Sequence, residues 1–318
     1  MSFLPLVIIN PISAGGATGR RWPAIASDLR THFGAFTPAF TEKAGDGCAI
    51  AAHEAKAGRE FIIACGGDGT INEVANGIFE SGVDAELGIL PSGTGGDFRR
   101  TLGFSNNAAE AARSLRKGRT RRIDAGRVTF INKSGEQASK YFVGVASFGM
   151  SGEVIRRVKA NNASGNTLAP RLDRLGGRAS FAIAALEATL AQPATDVRIQ
   201  IDDKPEHRLT VTNFCIANAR YFGGGMKIAP EAKLNDGRFD VVAIGDLGTG
   251  EILRNAPKLY LGLHLGMQKI GHTLASRVSA RPANENAEVL IEFDGELPGR
   301  LPATFEILPQ ALRVRCRN

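Results

Sequence analysis

The segment Ala64-Cys65-Gly66-Gly67-Asp68-Gly69-Thr70-Ile71-Asn72-Glu73 follows the apolar run Phe61 to Cys65 and opens a helical pattern from Ile71 to Phe79. A strand that passes through glycines directly into a helix turns consecutive backbone N–H groups, and the positive end of the helix dipole, towards one point. An anionic group is stabilised there; a tight strand-to-helix turn with an ordinary cap is the alternative reading. Glycine at 66, 67 and 69 admits positive φ and close approach of a ligand. Thr70 is placed to cap the helix, and Asp68 to face a metal or its water.

The arrangement recurs. Asn10-Pro11-Ile12-Ser13-Ala14-Gly15-Gly16 follows the apolar run Leu6 to Ile9, and Pro91-Ser92-Gly93-Thr94-Gly95-Gly96-Asp97 follows Leu87 to Leu90. With helical patterns at Trp22 to Phe33 and Ile71 to Phe79 between the runs, the first third reads strand, helix, strand, helix. That order implies a parallel α/β sheet with crossover helices. Ligands of such sheets bind beyond the carboxyl ends of the strands, where all three loops must then lie, so a nucleotide cleft is the economical explanation. No GxxxxGK[ST] occurs, and no GxGxxG opens a helix, because position 14 is Ala and position 72 is Asn. These absences exclude a P-loop enzyme and a Rossmann dehydrogenase.

From about Asp124 the texture changes to alternating, β-branched runs at Tyr141 to Val145, Val197 to Ile201, Leu209 to Ala217, Phe239 to Ile244 and Val289 to Phe293. These predict an antiparallel sandwich or barrel. Two helices interrupt it, Arg178 to Leu190 and Glu251 to Leu263, the second expected to kink or split at Pro257. Arg113 to Arg122 holds six basic residues just before the change and is the linker or domain-boundary candidate. The run Ala303 to Arg315 is one strand or two, returning to either domain. A chain of 318 residues, 43% of them hydrophobic, suffices for two domains with separate cores.

The four cysteines stand singly, with no spacing that suits zinc or a disulfide framework, which fits a reducing compartment. The five histidines are isolated and form no HExxH pair. Phe3 to Ile9 is too short to span a membrane and lacks the flanks of a signal peptide, so a cytoplasmic protein is expected. A net charge of +7 favours anionic partners without choosing between nucleic acid, nucleotide phosphates and an acidic membrane. Arg156, Arg157, Lys159, Arg171, Arg174 and Arg178 flank a Gly/Asn-rich stretch ahead of the apolar run Ala179 to Leu190; this is either a membrane contact or a solvated loop and a core helix.

The three loops resemble the marks of the diacylglycerol kinase catalytic family, which includes bacterial lipid kinases and sphingosine and ceramide kinases. Asn10 to Gly15 is similar to its NPxSG start, Gly66 to Glu73 to its GGDGT(I/L)NE loop, and Ser92 to Arg100 to its SGTxNDFAR segment. Tyr221 to Met226 with Ala229-Pro230 is similar to GGGM…P, Lys233 to Val241 to the DGxxDV segment, and Phe293-Asp294-Gly295-Glu296 to the DGE motif. The resemblance covers essentially the whole chain.

The resemblance implies a three-layer α/β nucleotide-binding domain, residues 1–125 with a C-terminal strand 304–318 packing back on it, and a β-sandwich lipid-substrate domain, 126–303, with the active site between them. It makes Asp294 the general base and Glu296 an organiser of the nucleotide site, with Asp68 beside them as a catalytic residue. Nucleotide contacts carried over in the same way are Asn10, Pro11, Ile12, Ser13, Ala14, Thr41, Gly66, Gly67, Asp68, Gly69, Thr70, Asn72, Glu73, Gly93 and Thr94. Lys233, Asp236 and Arg238 would hold Mg²⁺ through backbone oxygens or waters, linked through water to Asp97. One position departs: the family's Asn is Gly96, and FAR becomes Phe98-Arg99-Arg100, removing an amide and adding a cation.

The activity implied is transfer of the ATP γ-phosphate, with Mg²⁺, to a hydroxyl of diacylglycerol or of a sphingoid or ceramide-type lipid. The expected partners are a lipid substrate at a membrane surface, with peripheral membrane association, and a second copy in a homodimer; nucleic acid is not among them. Two other readings stand beside it. One is a kinase of a soluble acceptor such as NAD, since GGDG-type loops also occur in NAD kinases. The other is a non-catalytic nucleotide- or lipid-binding regulator.

Overall fold

The structure, a computed structural model, describes residues 3–92, 96–152, 156 and 194–317. The expected helix at Arg178 to Leu190, its flanking cations other than Arg156, and the nucleotide contacts Gly93 and Thr94 lie outside the described residues. The chain divides into two compact units, Met1–Ala125 with Pro309–Asn318, and Gly126–Leu308.

In the first unit, β1 (Leu6–Ile9), β2 (Thr37–Phe40), β3 (Phe61–Gly66) and β4 (Glu86–Pro91) pair in parallel in the order β2-β1-β3-β4. The C-terminal part of β14 (Glu296–Cys316) adds to β4, also in parallel, with Arg313 opposite Glu86 and Val314 opposite Leu87. Strands covered on both faces read as continuous apolar runs, and β1 and β4 are buried at every residue. Val7, Ile9, Ile63, Cys65 and Leu90 pack against α1 (Ala17–His32) and α5 (Ala108–Lys117). The opposite face is covered by α2 (Asp46–Lys56) and α3 (Asp68–Ser81), which pack on each other. A short α4 (Asp97–Thr101) follows β4.

The basic stretch Arg113 to Arg122 is not an unstructured linker, being the end of α5 and the start of β5 (Arg119–Asn132), although the division between the units follows it at Ala125. Ala108, Ala111, Ala112 and Leu115 recur at helical spacing and are buried. The cations of α5 are exposed, and Arg116 donates to the Phe33 carbonyl; in β5 Arg122 pairs with Asp84. Strand β2 carries Pro38, which removes a ladder donor and is tolerated because β2 is the edge strand.

In the second unit the described strands are antiparallel: the end of β5, β6 (Gln137–Phe142), β7 (Val145–Gly149), β8 (Thr195–Ile201), β9 (His207–Ala217), β10 (Phe239–Gly245), β11 (Ile270–Ala275), β12 (Arg277–Pro282), β13 (Leu290–Phe293) and the start of β14. The pairings β9-β7-β13-β14-β12-β8-β9 return on themselves, so the sandwich is continuous around its core. That core is aromatic: Phe148 stacks on Phe214 at 5.0 Å and Phe142 on Phe239 at 5.6 Å between ring centroids. The outer face of β9 and β10 buries Cys215, Ala217, Val242 and Ile244 under Ile252 and Leu259 of α6 (Thr249–Leu261). That helix runs through Pro257 and ends at Gly262 instead of splitting at the proline.

The run Tyr141 to Val145 is two strands rather than one. β6 ends at Phe142 and β7 begins at Val145, and the break at Val143-Gly144 points backbone N–H groups at a carboxylate of the site.

Candidate active site

In the first unit the three loops are joined by their own side chains. Asn10 Nδ2 donates to Thr70 Oγ1 at 3.2 Å, linking the loop after β1 to the loop after β3. Both oxygens of Asp68 accept backbone N–H groups, from Asp97 at 3.0 Å and Phe98 at 3.1 Å, linking the loop after β3 to the start of α4. Thr18, fully buried in α1, donates to the Ser92 carbonyl at 2.5 Å, accepts from the Ser92 hydroxyl at 2.8 Å, and lies 2.5 Å from Ser13 Oγ. Nothing in the sequence context of Thr18 marks it as a site residue.

The glycines of the central loop act differently from the sequence expectation. Gly66, Gly67 and Gly69 are not in the left-handed region, and Gly67 is extended at φ −91° and ψ −170°. What Gly66 provides is space: a Cβ there would collide with the Thr70 hydroxyl. Thr70 is not the helix cap, since Gly67 takes that position without a side-chain bond, and the Thr70 hydroxyl serves Asn10 instead. The first N–H groups of a helix have no partner within it. Asp68, the acidic residue of the first turn of α3, directs its carboxylate to α4. This end of α3 therefore suits a phosphate.

The remaining predicted residues are placed unevenly. Pro11, Ile12, Ser13 and Ala14 form the turn after β1, with Ile12 exposed and Ala14 at φ 55°. Thr41 directly follows β2, buried, with its N–H on the Ile9 carbonyl. Asn72 is buried within α3 and accepts from Asn76 at 3.0 Å. Glu73 accepts from the Gly45 N–H at 2.9 Å and the Gly47 N–H at 3.0 Å, so its carboxylate serves the N-terminus of α2. Gly96 has φ 63°, and Arg99 Nε lies 2.8 Å from where its Cβ would stand, so the added cation fills room that a side chain at 96 would take. Asp97 pairs with Arg100. The Cys65 thiol, just before the loop, is pushed up to about 12 by burial and stays protonated.

In the second unit Asp294 and Gly295 are the two central residues of the β13–β14 hairpin, at φ 48° and 86°, with Phe293 paired to Glu296. Positive φ at both is the two-residue turn for which Asp-Gly is favoured. Asp294 Oδ2 accepts from the Val143 N–H at 2.9 Å, and Oδ1 from Gly144 at 3.0 Å and Val145 at 3.2 Å. The donor segment is itself held: Asn218 Nδ2 donates to the Val143 carbonyl at 2.9 Å, and the N–H groups of Asn218 and Ala219 both donate to the Gly144 carbonyl at 3.0 Å. A Cβ on Gly144 would collide with Asp294 Oδ1. Glu296 opens β14 and is exposed. Lys233, Asp236 and Arg238 lie on the exposed loop before β10, where Asp236 Oδ1 accepts from the Arg238 N–H at 3.1 Å.

Against known proteins, residues 5–128 match the diacylglycerol kinase catalytic domain, and residues 158–316 match the YegS C-terminal NAD kinase beta sandwich-like domain. A diacylglycerol kinase of Bacillus subtilis (strain 168) is 33% identical over 279 residues, 86% of this chain and 83% of that protein. The chain belongs to the diacylglycerol kinase family. A diacylglycerol kinase of Staphylococcus saprophyticus is 28% identical over 98% of this chain and 95% of that protein. A crystal structure of a Bacillus anthracis str. Sterne protein superposes with a TM-score of 0.74 at 25% identity, covering 99% of this chain and 96% of that one. Another, of a diacylglycerol kinase from the same strain, gives 0.70 at 22% identity over 99% and 98%, a likeness of fold alone.

Membership places the chain among lipid kinases and bears out the two-domain fold expected from the motifs. No helix among the described residues is long and apolar enough to cross a membrane.

Proposed function

We propose that this member of the family transfers the γ-phosphate of ATP, with Mg²⁺, to a lipid hydroxyl, and that diacylglycerol is the acceptor to test first. The observation that carries the reading is the joining of three loops at one sheet edge by Asn10, Thr18, Asp68 and Thr70, beside the N-terminus of α3. Phosphoryl transfer asks a protein mainly for positioning and for neutralisation of phosphate charge. In this reading the first unit holds the nucleotide, and the second supplies the acceptor and its base.

Asp294 accepts the hydroxyl proton. Three backbone N–H groups fix the direction of its carboxylate, so the base meets the acceptor in one orientation. A base so placed contributes about 10² to 10⁴ in rate. Mg²⁺, when bound, supplies neutralisation of the phosphate oxygens. Among the described residues no three His, Cys, Asp or Glu side chains cluster as metal ligands. The oxygens of the exposed Lys233 to Arg238 loop suit an ion that keeps most of its waters, with Asp236 and the backbone carbonyls as the groups that would hold it.

A lipid surface as partner is supported by the net charge of +7 and by the end of α6 and the turn after it, where Leu261 and Leu263 are each 65% exposed and Lys258 is exposed too. The match of the second unit to a domain named for NAD kinase favours one other acceptor, NAD itself. The deciding assay offers γ-labelled ATP and Mg²⁺ with diacylglycerol, ceramide and sphingosine in mixed micelles, and NAD in parallel. Label is expected in diacylglycerol and is expected to vanish with Asp294→Asn. Label in NAD alone would replace the lipid reading, and nucleotide binding without transfer would favour a regulator.

A further inference from the structure

Two residues before the proposed base stands a second acidic residue, Glu292, in the middle of β13 with its side chain buried. Burying a carboxylate is costly unless its oxygens are hydrogen-bonded, so the partners it keeps indicate what it is for. Glu292 Oε1 accepts the Gly295 N–H at 2.8 Å, and Oε2 accepts the Ser147 hydroxyl at 2.7 Å. Ser147 in turn lies 2.8 Å from the Ser151 hydroxyl, and the Ser151 N–H donates to Asn213 Oδ1 at 3.1 Å.

We infer that Glu292 is a positioning residue for Asp294, fixing the Asp294-Gly295 turn from behind through the Gly295 N–H. In a two-residue hairpin the first and fourth residues pair across the ladder, and the N–H of the third has no ladder partner. Here an oxygen of the buried Glu292 carboxyl takes it in a part-buried bond, and breaking such a bond is costly for the group left without a partner. The turn is then held on two sides. Val143, Gly144 and Val145 grip the Asp294 carboxylate, while Glu292 grips the peptide that follows it. Both Asp294 and Gly295 occupy left-handed φ, and a non-glycine residue stays there only when its surroundings over-determine it. Ser147 and Ser151 extend the support through β7 into the chain that follows.

The catalytic part of this inference rests on the proposed role of Asp294; the geometric part does not. Three variants of the full chain decide it: Glu292→Leu, Glu292→Gln and Ser147→Ala. Each is assayed for kcat and for KM of ATP, with thermal melting and exchange of the Gly295 amide proton followed alongside. Leucine cannot accept, and a displaced base costs between about 10-fold and about 100-fold in kcat, with KM for ATP unchanged. Its Gly295 amide is expected to exchange about tenfold faster or more, the cost of leaving the donor of a part-buried bond without its acceptor. Glutamine keeps an oxygen for Gly295 and is expected to retain most of kcat. Ser147→Ala, which removes the hydroxyl that orients the Glu292 carboxylate and so weakens the Gly295 bond without deleting its acceptor, loses less than Glu292→Leu and carries the test if the leucine variant fails to fold, because a loosened Glu292 must also speed Gly295 exchange.

Unchanged exchange at Gly295, or a rise in KM at constant kcat, would overturn the inference. A wild type that phosphorylates no lipid would overturn the base assignment instead, and the exchange rate would still decide whether Glu292 holds the turn.

Discussion

Arg315, near the C-terminus, grips Glu86 of β4 with two parallel bonds of 2.6 Å each. Glu86 is 4% exposed and also accepts the Thr120 hydroxyl at 2.7 Å, while the Arg315 guanidinium lies over the Phe61 ring at 4.6 Å. The pair fastens β14 to β4 where only two residues of each strand are in register. The Glu86 hydrogen bond holds the Arg315 guanidinium charged still more firmly than usual. Arg315→Met removes the cation and leaves a buried carboxylate uncompensated. We expect a loss of about 3 kcal/mol, the lower part of the range for breaking a buried pair because Arg315 keeps some water contact. Urea unfolding curves of variant and wild type measure it.

Gly144→Ala is expected to lower catalysis by about a hundredfold while leaving the fold largely intact. The new Cβ would displace the Asp294 carboxylate from the Gly144 and Val145 N–H groups. A shift of about 1 Å at a catalytic group costs on the order of 10² in rate. The phosphoryl-transfer assay should show kcat falling about that much at unchanged nucleotide affinity; wild-type kcat in this variant would mean that the three amides do not position the base.

Much of this arrangement was legible in the sequence, and the parts that were not share a cause. The three loops announce themselves because each is a glycine-rich break between a buried parallel strand and a helix, and all of that is local. Asp294-Gly295 likewise reads as a hairpin turn from two residues. The groups holding Asp294 stand about 150 residues away, at a gap between β6 and β7 that a continuous apolar run concealed. Thr70 looks like a cap until Asn10, 60 positions earlier, claims its hydroxyl. Glu73 reads as part of the nucleotide loop, yet its carboxylate reaches back to the Gly45 and Gly47 amides. The basic run ending α5 looked like a linker because its charges are dense and the small apolar residues beneath them are alanines.

The Cys65 thiol yields a dependence on alkaline pH. Burial pushes it up to about 12 from the ordinary thiol range, because the thiolate cannot be solvated inside the sheet. A raised value in the folded state means that the unfolded chain ionises first. The stability Cys65 contributes is therefore complete below the ordinary thiol range and is lost as pH climbs from there towards 12. The urea midpoint of the wild type should fall more steeply than that of Cys65→Ala across this interval. Alkylation of the native protein at mildly alkaline pH should mark the half-buried Cys48 before Cys65.

The bond between Asn10 and Thr70 should be visible as coupling in nucleotide binding. Thr70→Val keeps the shape and removes the hydroxyl, and Asn10→Ala removes the donor. If the bond holds the two loops in the geometry that receives phosphate, either change alone loosens both, and the second then costs little. A neutral hydrogen bond contributes about 1 kcal/mol, so each single variant should weaken ATP binding by about fivefold. The double variant should fall short of the product of the two by a similar factor, since residues sharing one interaction are not additive. Titration calorimetry of the four proteins measures the cycle. Fully multiplicative losses would show that Asn10 and Thr70 meet the nucleotide independently, and the joining of the loops would then be a consequence of the fold rather than a preparation for phosphate.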